Sequence, residues 1–284
     1  MKPFKLLGLY RHPQFSNNAI EADRLILEES IKAFQKHFPD KVEVSFLEEA
    51  QIAENRAAYH LVLTMAQSAD ALAALDRQKE LLPVVWNTTQ AIRNCYRVNM
   101  SRKLESANVG YGPFIIAKSS SDLERLDPEA SYWLKRGDFH AINDDDVSLA
   151  ENLAEARAKM EKFAAKGVKE VVVQKHIPGD IYKFYGVNSS FFTAIRVRKF
   201  LTSDVTWDQA LVEQRCRKAA ELLGLQIYGG DFIIDAQGNA QIIDVNDWPS
   251  FRICRDAASD AIGRYAAKFI LSARAASTET ARSS

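Results

Sequence analysis

Cysteine is scarce. Only Cys95, Cys216 and Cys254 occur in 284 residues, and no CxxC or Cys/His cluster is present. A set this small, odd and scattered excludes a disulfide scaffold, argues against a zinc site and points to a reducing compartment. Long apolar runs are also missing, so no membrane-spanning helix is expected. The start, MKPFKLLGLYRHPQF, lacks the apolar core of a secretory signal. Neither sign of charge is in excess, since Lys+Arg and Asp+Glu both total 37. That balance argues against the broad electrostatic footprint of a nucleic-acid binder. Repeats and long low-complexity segments are absent. What remains is an ordinary globular composition, 47% hydrophobic and 26% charged, long enough for one large domain or two to three small ones. The expected setting is cytoplasmic, with neither nucleic acid nor membrane as partner.

The first third alternates between two periodicities. Phe4–Tyr10, Val42–Leu47, Leu61–Thr64 and Val84–Trp86 read as short strands, and residues 19–37 carry apolar side chains at helical spacing. Strands separated by helices predict a parallel sheet with covering helices over residues 1–95. Further on, residues 91–106 and 146–166 read as helices. Tyr132–Lys135 and Glu170–Gln174 read as strands, the second running into the turn signal Pro178-Gly179. Ile181–Val187 and Ser190–Lys199 alternate like two arms of a hairpin. A helix over 207–223 ends near Gly224, and residues 257–275 form a last helix before a polar tail.

The most informative stretch is Gly229-Gly230-Asp231-Phe232-Ile233-Ile234-Asp235, a turn at Ala236–Asn239, and then Gln241-Ile242-Ile243-Asp244-Val245-Asn246-Asp247-Trp248-Pro249. If the two strands pair antiparallel around that turn, Asp231 and Asp244 sit together at one end of the ribbon. Asn246 is two residues beyond Asp244 and faces the same way. Two carboxylates and an amide oxygen make a hard oxygen site suited to Mg²⁺, which leaves positions for waters and substrate phosphates. Charged groups inside apolar strands are costly unless coordinated.

This stretch resembles the ATP-grasp superfamily, whose last core strands carry an Asp…Asp/Glu-x-Asn pattern. The resemblance covers about residues 87–270 and implies an α/β (α+β) ATP-grasp fold. Two α+β subdomains, 96–173 and 174–284, would grip ATP, preceded by a small parallel α/β domain at 1–95. It implies ATP and one or two Mg²⁺ ions as cofactors, with Asp231, Asp244 and Asn246 as metal ligands. Arg97 looks like the basic residue of the helix after the first domain, and Lys135 like the strand lysine that reaches the α/β-phosphates. Residues 136–140 stand where the superfamily has its phosphate-covering loop, here with a single glycine, Gly137. His140 after it is expected to meet the γ-phosphate or the acceptor. Gln174, Lys175, His176 and Ile177 look like the adenine-recognising hinge, with Asp180 toward the ribose. Lys183 would face the phosphates, and Arg196 and Arg198, two apart and so on one face of the next strand, would stand near the acceptor. Arg11 and His12, with Ser16 and Asn17, follow the first strand, where α/β proteins open ligand clefts. With Arg252, Arg11 and His12 are candidate contacts to a small anionic acceptor.

Two reactions share such a site. The spacing Gln174, Lys183, Arg196-x-Arg198, Asp231 and Asp244-x-Asn246 is similar to that of inositol trisphosphate 5/6-kinase-type members. This implies transfer of the γ-phosphoryl group to a hydroxyl of a phosphorylated polyol. The alternative is a carboxylate–amine or carboxylate–thiol ligase working through an acyl phosphate, as in glutamate-ligase-type members. A non-catalytic ATP-binding module is the third reading. Asp247-Trp248-Pro249-Ser250-Phe251 lacks the glycine that usually follows that proline, so the acceptor does not carry over.

Overall fold

The computed structural model describes residues 3–16, 19–139 and 144–283. The chain divides into two compact units. The first comprises Met1–Thr89, Gly186–Phe192 and Trp248–Ser284; the second comprises Gln90–Tyr185 and Thr193–Asp247.

The first unit is built on β1 (Phe4–Tyr10), α1 (Ile20–His37), β2 (Val42–Glu48), β3 (Leu61–Thr64), α2 (Ala69–Arg77) and β4 (Val85–Trp86). The strands form a parallel sheet in the order β2-β1-β3-β4. β1 and β3 are apolar almost throughout because both faces of a parallel sheet are covered. α1 buries Ile26, Leu27, Ile31 and Phe34, the stripe that its spacing predicts. Glu49, just past β2, is 2% exposed. Its two carboxylate oxygens accept the backbone N–H groups of His12 at 2.8 Å and Ser68 at 2.6 Å. One side chain thus ties the loop after β1 to the loop after β3. Replacing Glu49 by Gln sets an NH₂ against one of those two donors. The variant is expected to lose about 1.5–3 kcal/mol, read as a melting temperature lower by several degrees.

The second unit holds α3 (Thr89–Asn94, counted from its second residue), α4 (Arg97–Glu105), β5 (Phe114–Ala117), β6 (Tyr132–Arg136), β7 (Val147–Ala150), α5 (Leu153–Ala165) and β8 (Val171–Lys175). It continues through β9 (Asp180–Val187), β10 (Phe191–Arg198), α6 (Gln209–Leu223), β11 (Ile227–Ile234) and β12 (Ala240–Asp247). The tip of the β9–β10 hairpin is grouped with the first unit. One antiparallel sheet has the order β5-β8-β6-β7. α5 covers it through Leu153, Ala156, Met160 and Phe163, packed on Leu134, Val171 and Val173. The other sheet has the order β10-β9-β11-β12. Its core includes Tyr182 stacked on Phe232, with Trp207 edge-on.

Three elements differ from the periodicity reading. The helix expected over 91–106 is broken at Cys95-Tyr96, where Tyr96 is extended (φ −60°, ψ 131°). The helix expected over 146–166 begins with strand β7, and Asn152 then caps α5 by accepting the N–H of Glu155. The last helix, α7, runs Arg255–Ser283 and packs on α1, so it is grouped with the parallel sheet and not with the strands that precede it. Among the described residues, no helix is long and apolar enough to cross a membrane.

Candidate active site

The site lies in the second unit. β11 and β12 pair antiparallel with Asp231 opposite Asp244 and Gly229 opposite Asn246. The loop between them is fixed by Asp235, whose Oδ1 accepts the N–H groups of Gln237 and Asn239 at 2.9 Å each. Beyond Asp231 the register slips, because Phe232 pairs with Ile242 and Ile243 becomes a bulge. A bulged residue drops out of the ladder. Here the Ile243 carbonyl accepts from Lys135 Nζ at 2.8 Å. Lys135, on β6, is 6% exposed and also donates to Gln174 Oε1 on β8 at 2.8 Å. Gln174 Nε2 in turn donates to the Gly112 carbonyl at 3.3 Å. Lys183, on β9, donates to Asp231 Oδ1 at 2.9 Å.

Arg97 opens α4 and is 4% exposed. Its Nη2 lies 3.8 Å from Asp244 Oδ2, while its Nε and Nη1 are buried with no hydrogen-bond partner. Burial pushes the Lys135 ammonium down to about 8, against the pull of Asp244 and with help from Arg97. Asp231 is raised above the usual carboxylate range by burial and by Asp244, despite Lys183. Burial lowers Lys183, but Asp231 outweighs it and holds the ammonium charged. Arg97 thus has buried donors short of acceptors. Phosphate oxygens would complement those donors. Among the described residues, no group of three or more His, Cys, Asp and Glu gathers as a metal cluster. A metal here would rest on Asp231, Asp244 and Asn246 with waters and phosphate oxygens, which suits Mg²⁺.

A scan against protein-family models finds no match, and a search of curated proteins finds none either. Solved structures do match along nearly the whole chain. The D-alanine–D-alanine ligase from Bacillus anthracis complexed with ATP has a TM-score of 0.68 at 14% identity, covering 95% of this chain and 98% of that one. The D-alanine–D-alanine ligase from Coxiella burnetii has 0.63 at 13%, covering 99% and 100%. The ATP-grasp ligase PsnB complexed with minimal precursor, Mg and ADP has 0.61 at 17%, covering 92% and 98%. The chain has an ATP-grasp fold. That fold accounts for two antiparallel sheets joined by Lys135 and the segment at 110–112, where Gly112 donates to Ile242 and Ile242 to Gly110.

Several expected residues are otherwise engaged. Asp180 is 2% exposed and accepts the N–H groups of Phe200 and Leu201 at 2.7 and 2.9 Å. It also pairs with Arg196 at 3.3 Å, and Arg196 with Asp204 at 2.8 Å. These two brace the loop after β10, where a ribose contact and an acceptor-side arginine were expected. Arg198 is exposed on the edge strand β10. The Lys175 N–H, expected at adenine, goes to Pro113 O at 3.1 Å. His176 Nδ1 accepts from Trp133 Nε1 at 3.1 Å, so it packs on β6, and Ile177 is half-buried beside Gly112. Gly137 is pinned, since it donates to Glu170 O at 2.9 Å and accepts from Val98 N at 3.0 Å. A Cβ there would meet Glu170 O at 2.5 Å, so this glycine serves packing where a phosphate-covering loop was expected. His140 and Asn17 lie outside the described residues.

The expected acceptor contacts belong to the first unit. Arg11 donates to Met65 O at 3.3 Å, Asp23 Oδ2 at 3.1 Å and Trp248 O at 2.7 Å, so its guanidinium is spent inside the protein. His12 Nδ1 accepts from Gln14 N at 3.3 Å. The His12 side chain lines a cavity of about 550 Å³ with Glu49, Ser68, Asp70 and Arg77. Arg252 is exposed just ahead of α7. Sequence reasoning missed Tyr111, half-buried beside Arg97 and Asp244, its hydroxyl 3.1 Å from Ser101 Oγ. It missed Gly112 as well, and neither position carries a periodic or motif signal.

Proposed function

We propose that this chain is a Mg²⁺-requiring, ATP-dependent carboxylate ligase. The observation that carries the reading is the hairpin register. Asp231 faces Asp244, Asn246 follows on the same face, and Lys183, Lys135 and Arg97 stand around them. Mg²⁺, when bound, neutralises charge on the phosphates. The chain's own part is positioning and electrostatics, which dominate phosphoryl transfer. Arg97 offers two unspent donors to phosphate oxygens, and Lys135 and Lys183 offset negative charge. A carboxylate oxygen attacks the γ-phosphorus and ADP leaves, giving an acyl phosphate. An amine or thiol then attacks the acyl carbon, loses its proton and expels inorganic phosphate.

The ligase reading is favoured over the phosphorylated-polyol kinase because the matching structures named above are all ligases and align from end to end. A panel of carboxylates with Mg-ATP and hydroxylamine tests it. At least one carboxylate is expected to stimulate phosphate release and yield a hydroxamate. A stable product carrying ³²P from γ-labelled ATP would favour the hydroxyl acceptor instead. Turnover that no acceptor stimulates would favour an ATP-binding module without catalysis.

A further inference from the structure

Lys135 is buried, and its ammonium meets two protein acceptors, Gln174 Oε1 and the carbonyl of the bulged Ile243, each at 2.8 Å. An ammonium has three donors. Two fixed bonds set the direction of the third N–H, and that direction decides whether the lysine is ready for a phosphate oxygen. We infer that Gln174 is a positioning residue for Lys135 and not a reader of the adenine base, an inference that rests on the ATP reading of this site.

The residue type supports this role. Lys135 is donor only at its tip, and the Gly112 carbonyl is acceptor only. A side chain between them must accept at one end and donate at the other, which fixes the orientation of the amide. Gln174 does both and is 2% exposed. A glutamate at 174 would set a carboxylate oxygen against the Gly112 carbonyl. A methionine would leave Lys135 with Ile243 O alone. Gly112 is part of the device. A Cβ there would lie 2.9 Å from Gln174 Nε2 and 3.2 Å from Ile177 Cδ1. The amide is the far end of a flexible side chain and gives way first. Gly112→Ala therefore shifts Gln174 without deleting a polar group.

The test is titration of wild type, Gln174→Met, Lys135→Met, the double variant and Gly112→Ala with ATP and, separately, with adenosine. Gln174→Met is expected to weaken ATP roughly tenfold, the scale of one lost charge-assisted contact, and adenosine less than twofold. In the Lys135→Met background it should add nothing further. Gly112→Ala should weaken ATP several-fold and leave adenosine unchanged. Urea unfolding of the same four-member cycle without nucleotide should show coupling between positions 174 and 135. Equal losses for ATP and adenosine, or losses that multiply in the double variant, would overturn the positioning role while ATP binding by wild type stands. Wild type that binds neither ligand would instead bring down the reading of the site, and the positioning role with it.

Discussion

Replacing Asp244 by Asn is expected to lower Mg²⁺-dependent ATP turnover roughly a thousandfold, the upper range for losing one preorganised charge at a phosphoryl or acyl centre, while the fold persists. The substitution is nearly isosteric, so β12 keeps its register against β11. What goes is one of two carboxylates that face each other, and the charge 3.8 Å from Arg97. Burial and Asp244 together hold Asp231 above its ordinary range, so removing Asp244's charge relieves Asp231. Arg97 and Lys135 lose a counter-charge in exchange, so the urea midpoint should fall modestly, far less than turnover does. Raising Mg²⁺ should recover part of the rate, since the amide still offers an oxygen. Turnover within a few-fold of wild type in a folded Asp244→Asn protein would defeat the metal assignment.

That residue pair was legible in the sequence for a definite reason. The turn at Ala236–Asn239 brings both acids to one end of the ribbon and a period of two sets Asp244 and Asn246 on one face, while the bulge at Ile243, which no residue announces, sets Asp231 directly opposite Asp244. The parallel sheet was legible in the same way, because apolar runs of four to seven residues separated by a helical stripe leave few alternatives. The break between α3 and α4 was not. Residues 91–106 contain neither Pro nor Gly. The break is held from far along the chain, by Val98 N donating to Gly137 O and by Tyr96 stacked on Phe139 at 4.7 Å. β7 was hidden because four residues stand directly ahead of a strong Ala/Glu/Lys helix former, and only Asn152 marks the change. Arg196 and Asp180 show the limit for charges. Alternation puts Arg196 and Arg198 on one face, but nothing local says that Arg196 will spend its guanidinium on Asp180 and Asp204. Gln174 shows the same limit for a polar group, since its position in a hinge-like strand is visible and its two partners, 39 and 62 residues away, are not.

Gly230→Ala is expected to destabilise the second unit by about 3 kcal/mol, at the severe end of overpacking, and to abolish turnover with it. A Cβ at 230 would lie 2.2 Å from the backbone oxygen of Asp244 and 2.6 Å from two ring atoms of Phe184. Neither neighbour can yield cheaply. Asp244 O belongs to the paired strand, and Phe184 is wholly buried among Tyr228 and Phe232. The strands must part or the ring must move, and parting the strands separates Asp231 from Asp244 at the next residue. Trimming Phe184 to Leu in the Gly230→Ala background removes the ring contact but leaves the clash with the Asp244 carbonyl. It should therefore recover part of the stability and little of the turnover. Urea unfolding and a Mg-ATP turnover assay on both proteins separate the two contacts. An unchanged midpoint for Gly230→Ala would mean that β11 and β12 do not approach as closely beside the acids as this register requires, and the convergence of Asp231, Asp244 and Asn246 would lose its geometric basis.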